Sequence, residues 1–199
     1  MPRLLLTAAF LAAATPALAQ VSTTKPADVK AGTYIVEPSH TRVLFIVSHM
    51  GFSDWYGNFT GVSGTLTLDP KHPAASAVNI SIPVASVTTT NAVLDGELKA
   101  SDWLGAATYP TITFKSASVT PTGPRSALIR GDLTLHGFTH PVTLDARFNG
   151  AGTNPLDRAY TVGFNATGRI KRSEFGVNKY VPLIGDDVTV TISAAFEKK

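Results

Sequence analysis

The chain contains no cysteine. That excludes disulfides, thiolate-bound metal and a cysteine nucleophile, and it leaves no thiol near the N-terminus to carry a lipid anchor. Charge is also scarce: Asp, Glu, Lys and Arg make up 16% of the residues, against about 25% in an ordinary domain. The net charge is +3, too small and too dispersed for the basic patch of a nucleic-acid binder. Beyond the first residues, no apolar run approaches the roughly 20 residues that a membrane-spanning helix needs. Catalytic signatures are missing too. The sequence has no H-E-x-x-H. Gly61-Val62-Ser63-Gly64-Thr65 falls one residue short of a G-x-S-x-G elbow and lies between strand-like segments, where a strand-to-helix turn is required. Ser22-Thr23-Thr24-Lys25 matches S-x-x-K but sits in a polar leader. Gly150-Ala151-Gly152 lacks the third glycine and the βαβ setting of a dinucleotide site.

What is there begins with Arg3, an apolar run at residues 4–14, and Ala17-Leu18-Ala19. This is the form of a cleaved secretory signal, too short to span a bilayer. Residues 1–19 are expected to be removed, leaving a mature chain from Gln20 with one positive charge fewer. In a bacterium with two membranes the destination is the periplasm. Residues 20–32 are polar and without period, and read as a flexible leader before a domain at 33–199. An exported domain without disulfides relies on its core, and about 180 residues can build one.

From there the hydrophobic period is two. Val78-Asn79-Ile80-Ser81-Ile82, Thr111-Ile112-Thr113-Phe114 and Val188-Thr189-Val190-Thr191-Ile192-Ser193 alternate apolar with polar, as strands do when one face is buried and the other wet. Further candidates lie at 41–49, 58–68, 127–135, 142–148 and 160–170, rich in Thr, Val, Ile and Phe. Turn signals separate them at Asp69-Pro70, Pro121-Thr122-Gly123-Pro124, His136-Gly137, and from Asn149-Gly150 to Asn154-Pro155. The gap at 91–109 tolerates one or two short helical turns. The sum is an all-β chain of about eight antiparallel strands with one short helical connection. Alternation does not distinguish a barrel from a sandwich.

Among the five histidines, His136 and His140 are four apart, but in a turn between strands, where a zinc pair on one helix face is not formed. No metal site is expected. His49 ends an apolar strand, where it can close a barrel mouth or bond a ligand head group. Trp55, Tyr56, Phe59, Trp103 and Tyr109 fall in or beside the longer connections and suit either a cavity wall or ordinary packing. Arg169, Lys171, Arg172 and Lys179 form a basic stretch, which reads as a solvated face or as a seat for phosphate.

Several local patterns then occur in one order: Tyr34-Ile35-Val36-Glu37-Pro38-Ser39-His40-Thr41, followed by Phe45 and by His49-Met50-Gly51; Gly57-Asn58-Phe59 and Gly64-Thr65-Leu66; Tyr109-Pro110-Thr111-Ile112-Thr113-Phe114-Lys115-Ser116; Gly131-Asp132-Leu133-Thr134-Leu135-His136-Gly137 with Pro141-Val142-Thr143-Leu144; Arg172-Ser173-Glu174-Phe175-Gly176; and Gly185-Asp186-Asp187-Val188. This series resembles the YceI-like family of exported polyisoprenoid-binding proteins across nearly all of residues 33–197. The resemblance implies an extended, lipocalin-like antiparallel barrel with an apolar cavity. It also implies a long isoprenoid or fatty chain as ligand, such as a polyprenyl phosphate or a quinone, bound without turnover, and a link to envelope stress and alkaline response. One segment departs from the pattern. The family's Arg-Asp-x-His-Leu reads Leu94-Asp95-Gly96-Glu97-Leu98 here, so Asp95 and Leu98 remain while the Arg and His do not, and the preference for a particular head group does not carry over.

Taken with that resemblance, alternation nominates a ligand wall. On the early strands it contains Phe45, Val47, Phe59, Leu66, Ile80 and Ile82. Further along it contains Trp103, Phe114, Leu133, Leu135, Phe164 and Phe175, with His49 at the mouth. The expected protein is a carrier or sequestering binder, with no catalytic residue, no cofactor beyond the bound lipid, and no nucleic-acid partner. Nothing in the sequence excludes a homodimer. Two alternatives stay open: an interaction or stress-response module whose barrel is filled by side chains, and a lipid-acting enzyme built on Asp95 with His49.

Overall fold

The alternating segments pair into one antiparallel sheet. A computed structural model describes residues 21–199; the expected signal peptide lies outside the described residues. The strands are β1 (Gly32–Val36), β2 (Arg42–His49), β3 (Ser53–Phe59), β4 (Ser63–Leu68), β5 (Ala77–Pro83), β6 (Thr111–Gly123), β7 (Ser126–Leu135), β8 (Phe138–Thr153), β9 (Tyr160–Lys171) and β10 (Ile184–Lys198). Neighbours run β1-β4-β5-β6-β7-β8-β9-β10, and β10 returns to β1 through Tyr34 opposite Lys198. Eight strands therefore close a barrel. This settles the choice against a sandwich, because closure alone removes the sheet's free edges.

The remaining two strands continue the same ladder. β10 is long enough to pair with β1 at its C-terminal end and with β2 over Val188–Ser193. β1 and β2 are thus one path interrupted between Glu37 and Thr41. There the buried Thr41 hydroxyl takes the place of a ladder bond, accepting from Ala195 N at 3.1 Å and donating to Ala195 O at 3.3 Å. β3 and β4 are likewise one path broken at residues 60–62, where 58–68 reads as a single strand from sequence. Asn58 exchanges backbone bonds of 2.9 Å with Thr88, which ties β3 to the long connection after β5. That connection contains the only α-helix among the described residues, α1 (Ala92–Lys99), in the gap where helical turns were expected. Asn91 caps it by accepting from Val93 N and Leu94 N.

Two segments differ from expectation for one reason. β8 runs through the glycines read as a turn and reverses only after Thr153, with a bulge between Phe148 and Gly150. Its neighbour there is the segment expected to be a flexible leader. Thr23 and Ala151 exchange backbone bonds of 2.8 and 2.9 Å. A Cβ at Gly152 would lie 2.2 Å from Val21 O, so glycine is what lets the leader approach. Val29 is buried and Lys30 O accepts from the Tyr34 hydroxyl, which fastens the segment to the barrel as it enters β1.

Tyr34 has no exposed surface, and burial pushes its phenol up to about 12, with Tyr160 nearby adding to the rise. The folded state favours the protonated phenol, so this stability is complete below the ordinary value of 10.0 and disappears as pH rises through about 12. Urea unfolding between pH 10 and pH 12 is expected to show a steep loss of stability. Tyr34→Phe, which forgoes about 1 kcal/mol of hydrogen bonding, is expected to flatten that loss. An equal slope in both proteins would contradict the assignment.

Candidate functional site

Along each strand every second residue faces inward, and the inward side chains do not meet. They leave an elongated internal cavity of about 380 Å³, within the roughly 300–1,000 Å³ of small-molecule sites. One feature of the wall accounts for much of the space. Ala127, Ala146 and Ala166 are direct cross-strand neighbours on β7, β8 and β9, and all three line the cavity. A row of methyl groups stands where a filled barrel would place branched side chains.

Aromatic pairs also line the cavity. Phe45 and Phe59 lie 5.7 Å apart between ring centroids, and Phe148, Phe164 and Phe196 form a chain at 5.6 and 6.2 Å. Phe45 sits directly over Gly57 of β3, where any Cβ would fall 2.2 Å from its ring. The glycine lets the ring lie flat against the wall.

The two ends are different. At one, the lining residues reach the surface: Pro73, Pro121, Gly123 and Pro124 are exposed, with Pro26 and Pro70 beside them. This rim is a mouth rich in prolines, which are stiff and lack an N–H, with Asp69 and Arg125 also among the lining residues. At the other end the lining residues Trp103, Arg172 and Val177 are 8%, 5% and 3% exposed. They form a closed floor.

Arg172 holds that floor together. Its guanidinium donates to four backbone carbonyls: Nε to Gly185 O at 2.8 Å, Nη1 to Val177 O at 2.7 Å, and Nη2 to Lys179 O at 3.0 Å and Ile184 O at 2.8 Å. Burial pushes its pKa down, and the Asp186 carboxylate opposes that. Asp186 is fixed by Ser173, which donates to it through N and Oγ, both at 2.8 Å. Burial works against the ionised Asp186, but the Ser173 bonds and the Arg172 charge outweigh it and hold the carboxyl below its usual range. The guanidinium carbon lies 5.5 Å from the centroid of the Trp103 ring, in cation–π range.

Of the residues nominated from sequence, Phe45, Val47, Phe59, Leu66, Ile80, Ile82, Trp103, Phe114, Leu133, Leu135 and Phe164 line the cavity. Two do not. His49 has the inward parity of Phe45 and Val47, but β2 outruns the cavity, and the ring packs edge-on to Trp55 at 6.3 Å. Phe175 is wholly buried, but it closes a short 3-10 helix, Arg172–Phe175, three residues past the point where the alternation of β9 runs out at Arg172. It packs against His140 at 5.1 Å, and its carbonyl accepts from His136 Nδ1 at 3.2 Å. Among the described residues no three metal-ligating side chains cluster.

Of the five aromatics considered together, only Phe59 and Trp103 reach the cavity; Tyr56 is exposed and Tyr109 packs on His136 at 4.6 Å. Arg172, read from sequence as part of a basic stretch that is either a solvated face or a seat for phosphate, is buried at the cavity's floor. Parity could have found it, since Phe164, Ala166, Gly168, Ile170 and Arg172 all line the cavity at alternate positions. Asp95 and His49 do not form a pair. Asp95 accepts from Thr89 N at 2.6 Å and from Thr89 Oγ1 at 2.7 Å.

The architecture is a lipocalin-like one: a closed antiparallel barrel around an apolar cavity with one open end. The model of the YceI-like domain matches residues 34–196, and the chain belongs to that family. It is 41% identical over 157 residues to Protein YceI of Escherichia coli O157:H7, covering 79% of this chain and 81% of that one. The crystal structure of BcnA from Burkholderia cenocepacia superposes with a TM-score of 0.73 at 26% identity, covering 80% of this chain and 98% of that one. A polyisoprenoid binding domain from Saccharophagus degradans shares the fold, with a TM-score of 0.59, 16% identity, and coverage of 85% of this chain and all of that one. Among the described residues no helix is long and apolar enough to cross a membrane.

Lysine carries one compact ammonium and cannot bridge carbonyls that a guanidinium fork spans. Arg172→Lys is therefore expected to leave buried carbonyls of the 177–185 loop unpaired and to lower stability by about 3 kcal/mol or more. Urea denaturation measures it. A loss below about 1 kcal/mol would mean that the fork does not organise the floor.

Proposed function

We propose that this protein binds one long apolar chain, a polyisoprenoid, a quinone or a fatty acid derivative, lengthwise in the barrel and serves as an exported carrier or sequestering protein. The observation that carries the reading is the cavity of about 380 Å³ walled by apolar side chains. Without a ligand this apolar wall is left facing water, which is unfavourable. A bound chain offsets that, since each CH₂ withdrawn from water contributes about 0.8 kcal/mol. The prolines of the rim suit entry of an apolar chain, because they bring no N–H groups that would have to shed water.

Membership of the YceI-like family supports this reading. The Saccharophagus domain is described as binding polyisoprenoid, which at 16% identity is a property of that protein; here the reading stands on this chain's own cavity. The wall residues Phe45, Val47, Phe59, Leu66, Ile80, Ile82, Trp103, Phe114, Leu133, Leu135 and Phe164 are proposed as the ligand contacts. The packed-barrel interaction module is less well supported, because side chains do not fill the interior. The lipid-acting enzyme has lost its proposed pair, since Asp95 and His49 each have other partners. Export is proposed from the signal-like N-terminus, with the periplasm as the destination.

Native mass spectrometry of protein purified from its own host without detergent, followed by extraction with organic solvent, tests the proposal. The expected spectrum shows a chain beginning at Gln20 with a stoichiometric prenyl, quinone or fatty species. An empty protein that also refuses added isoprenoids would overturn the binding role, and an intact Met1 would overturn export.

A further inference from the structure

Closure removes the free edges of the eight barrel strands, but β3 lies outside that circuit. Among the described residues it ends the strand order, with β2 as its one ladder neighbour. Its other edge is engaged at one point, where the Asn58 N–H and C=O both go to Thr88. Those groups therefore point away from β2. In an antiparallel pair the direction alternates from residue to residue. The N–H and C=O of Tyr56 and Asp54 point outward too, with no backbone partner among the described residues. Both residues are exposed. Proteins usually guard such an edge with lysine, proline or a bulge. Ser53–Phe59 contains no lysine or proline, and its register with β2 is unbroken. Beside it the hairpin tip exposes Met50 and Phe52, the latter to 88%.

We infer that this edge pairs with the same edge of a second copy, joining two barrels about a two-fold axis through Trp55. The free groups select the register. An antiparallel match that sets Asp54 opposite Tyr56 of the second copy, and Tyr56 opposite its Asp54, satisfies the N–H and C=O of both residues in both chains. Sliding the strands until Asp54 meets Asp54 sets like charges opposite each other. Sliding them until Tyr56 meets Tyr56 leaves Asp54 facing Asn58, whose groups Thr88 already holds. In the selected register Phe52 of each copy comes level with Asn58 of the other. There the ladder ends against the 84–88 connection, and the exposed ring gains a neighbour. The hairpin stands at the floor end, since His49 is opposite Ile184, whose carbonyl accepts from Arg172. Pairing there leaves both mouths open.

Analytical ultracentrifugation of the full chain is expected to show the mass doubling as concentration rises from micromolar to millimolar. Tyr56 is 59% exposed, so its substitution leaves the packing of the barrel alone. Tyr56→Asp is expected to weaken the dimer about tenfold, through the two like-charge pairs it creates with Asp54. Adding Asp54→Lys to it is expected to restore the dimer by making those pairs opposite in charge. The chain has no cysteine, so Trp55→Cys supplies a single thiol on the axis. Opposite Cα atoms of a non-hydrogen-bonded pair stand about 4.5 Å apart, within disulfide range. Mild oxidation is expected to link Trp55→Cys into a covalent dimer and to leave Ser118→Cys, exposed on β6, unlinked. A protein that stays monomeric to millimolar concentration would overturn the inference. So would a dimer that Tyr56→Asp leaves intact and Trp55→Cys does not link, because the two copies would then meet at another face.

Discussion

β10 hydrogen-bonds along both edges, to β9 on one side and to β1 and β2 in succession on the other. That double engagement closes the ladder, and everything inside follows from it. A closed sheet fixes the width of the interior by strand number and tilt, whatever side chains point into it. The sequence then decides only whether the space is filled. On β7, β8 and β9 it places alanines side by side, and the space stays open. Where the chain must leave the ladder, between β1 and β2, Thr41 substitutes its hydroxyl for the missing backbone partner, so the break does not open an edge.

The polar groups are arranged so that the cavity can stay apolar. The charges of the floor are spent within the floor: Arg172 on the carbonyls of the 177–185 loop, Asp186 on Ser173, Lys179 on Asp102. Truncating Arg172 strands its carbonyl partners in a poorly solvated place, whereas Asp102 of the Lys179 pair is exposed. The rim, in contrast, is kept stiff by proline and by the leader, whose Thr23 and Val29 anchor it to β8 and the barrel. A rigid mouth and a cross-braced floor leave the cavity's shape to the strands between them.

Much of this was legible because strand parity is a strict rule. Phe114, Leu133 and Phe164 could be placed on the wall from alternation, and the strands fell where Thr, Val and Ile alternate. The errors lie where parity ends or is overridden. His49 has the right parity but lies past the cavity's end, Phe175 lies on a helical turn, and the glycines of β8 look like a turn until the leader is seen resting on them. Arg172 was not placed at the floor because charge was given more weight than the parity it shares with Ile170. The alanine row was passed over because a wall was sought in bulky residues, whereas the cavity's size is set by small ones. Closure itself depends on register between residues far apart in the chain, such as Tyr34 with Lys198, and no local pattern encodes it.

If the interior is open because its wall is small, enlarging the wall should help the protein without its ligand and harm it with one. Ala146→Leu, at the middle of the row, is the direct test, read by urea unfolding of delipidated protein and by uptake of a long-chain prenyl benzoquinone. The account predicts a gain of about 1–2 kcal/mol together with a marked loss of uptake. A loss of about 1–3 kcal/mol, as overpacking a filled core produces, with uptake unchanged, would contradict it.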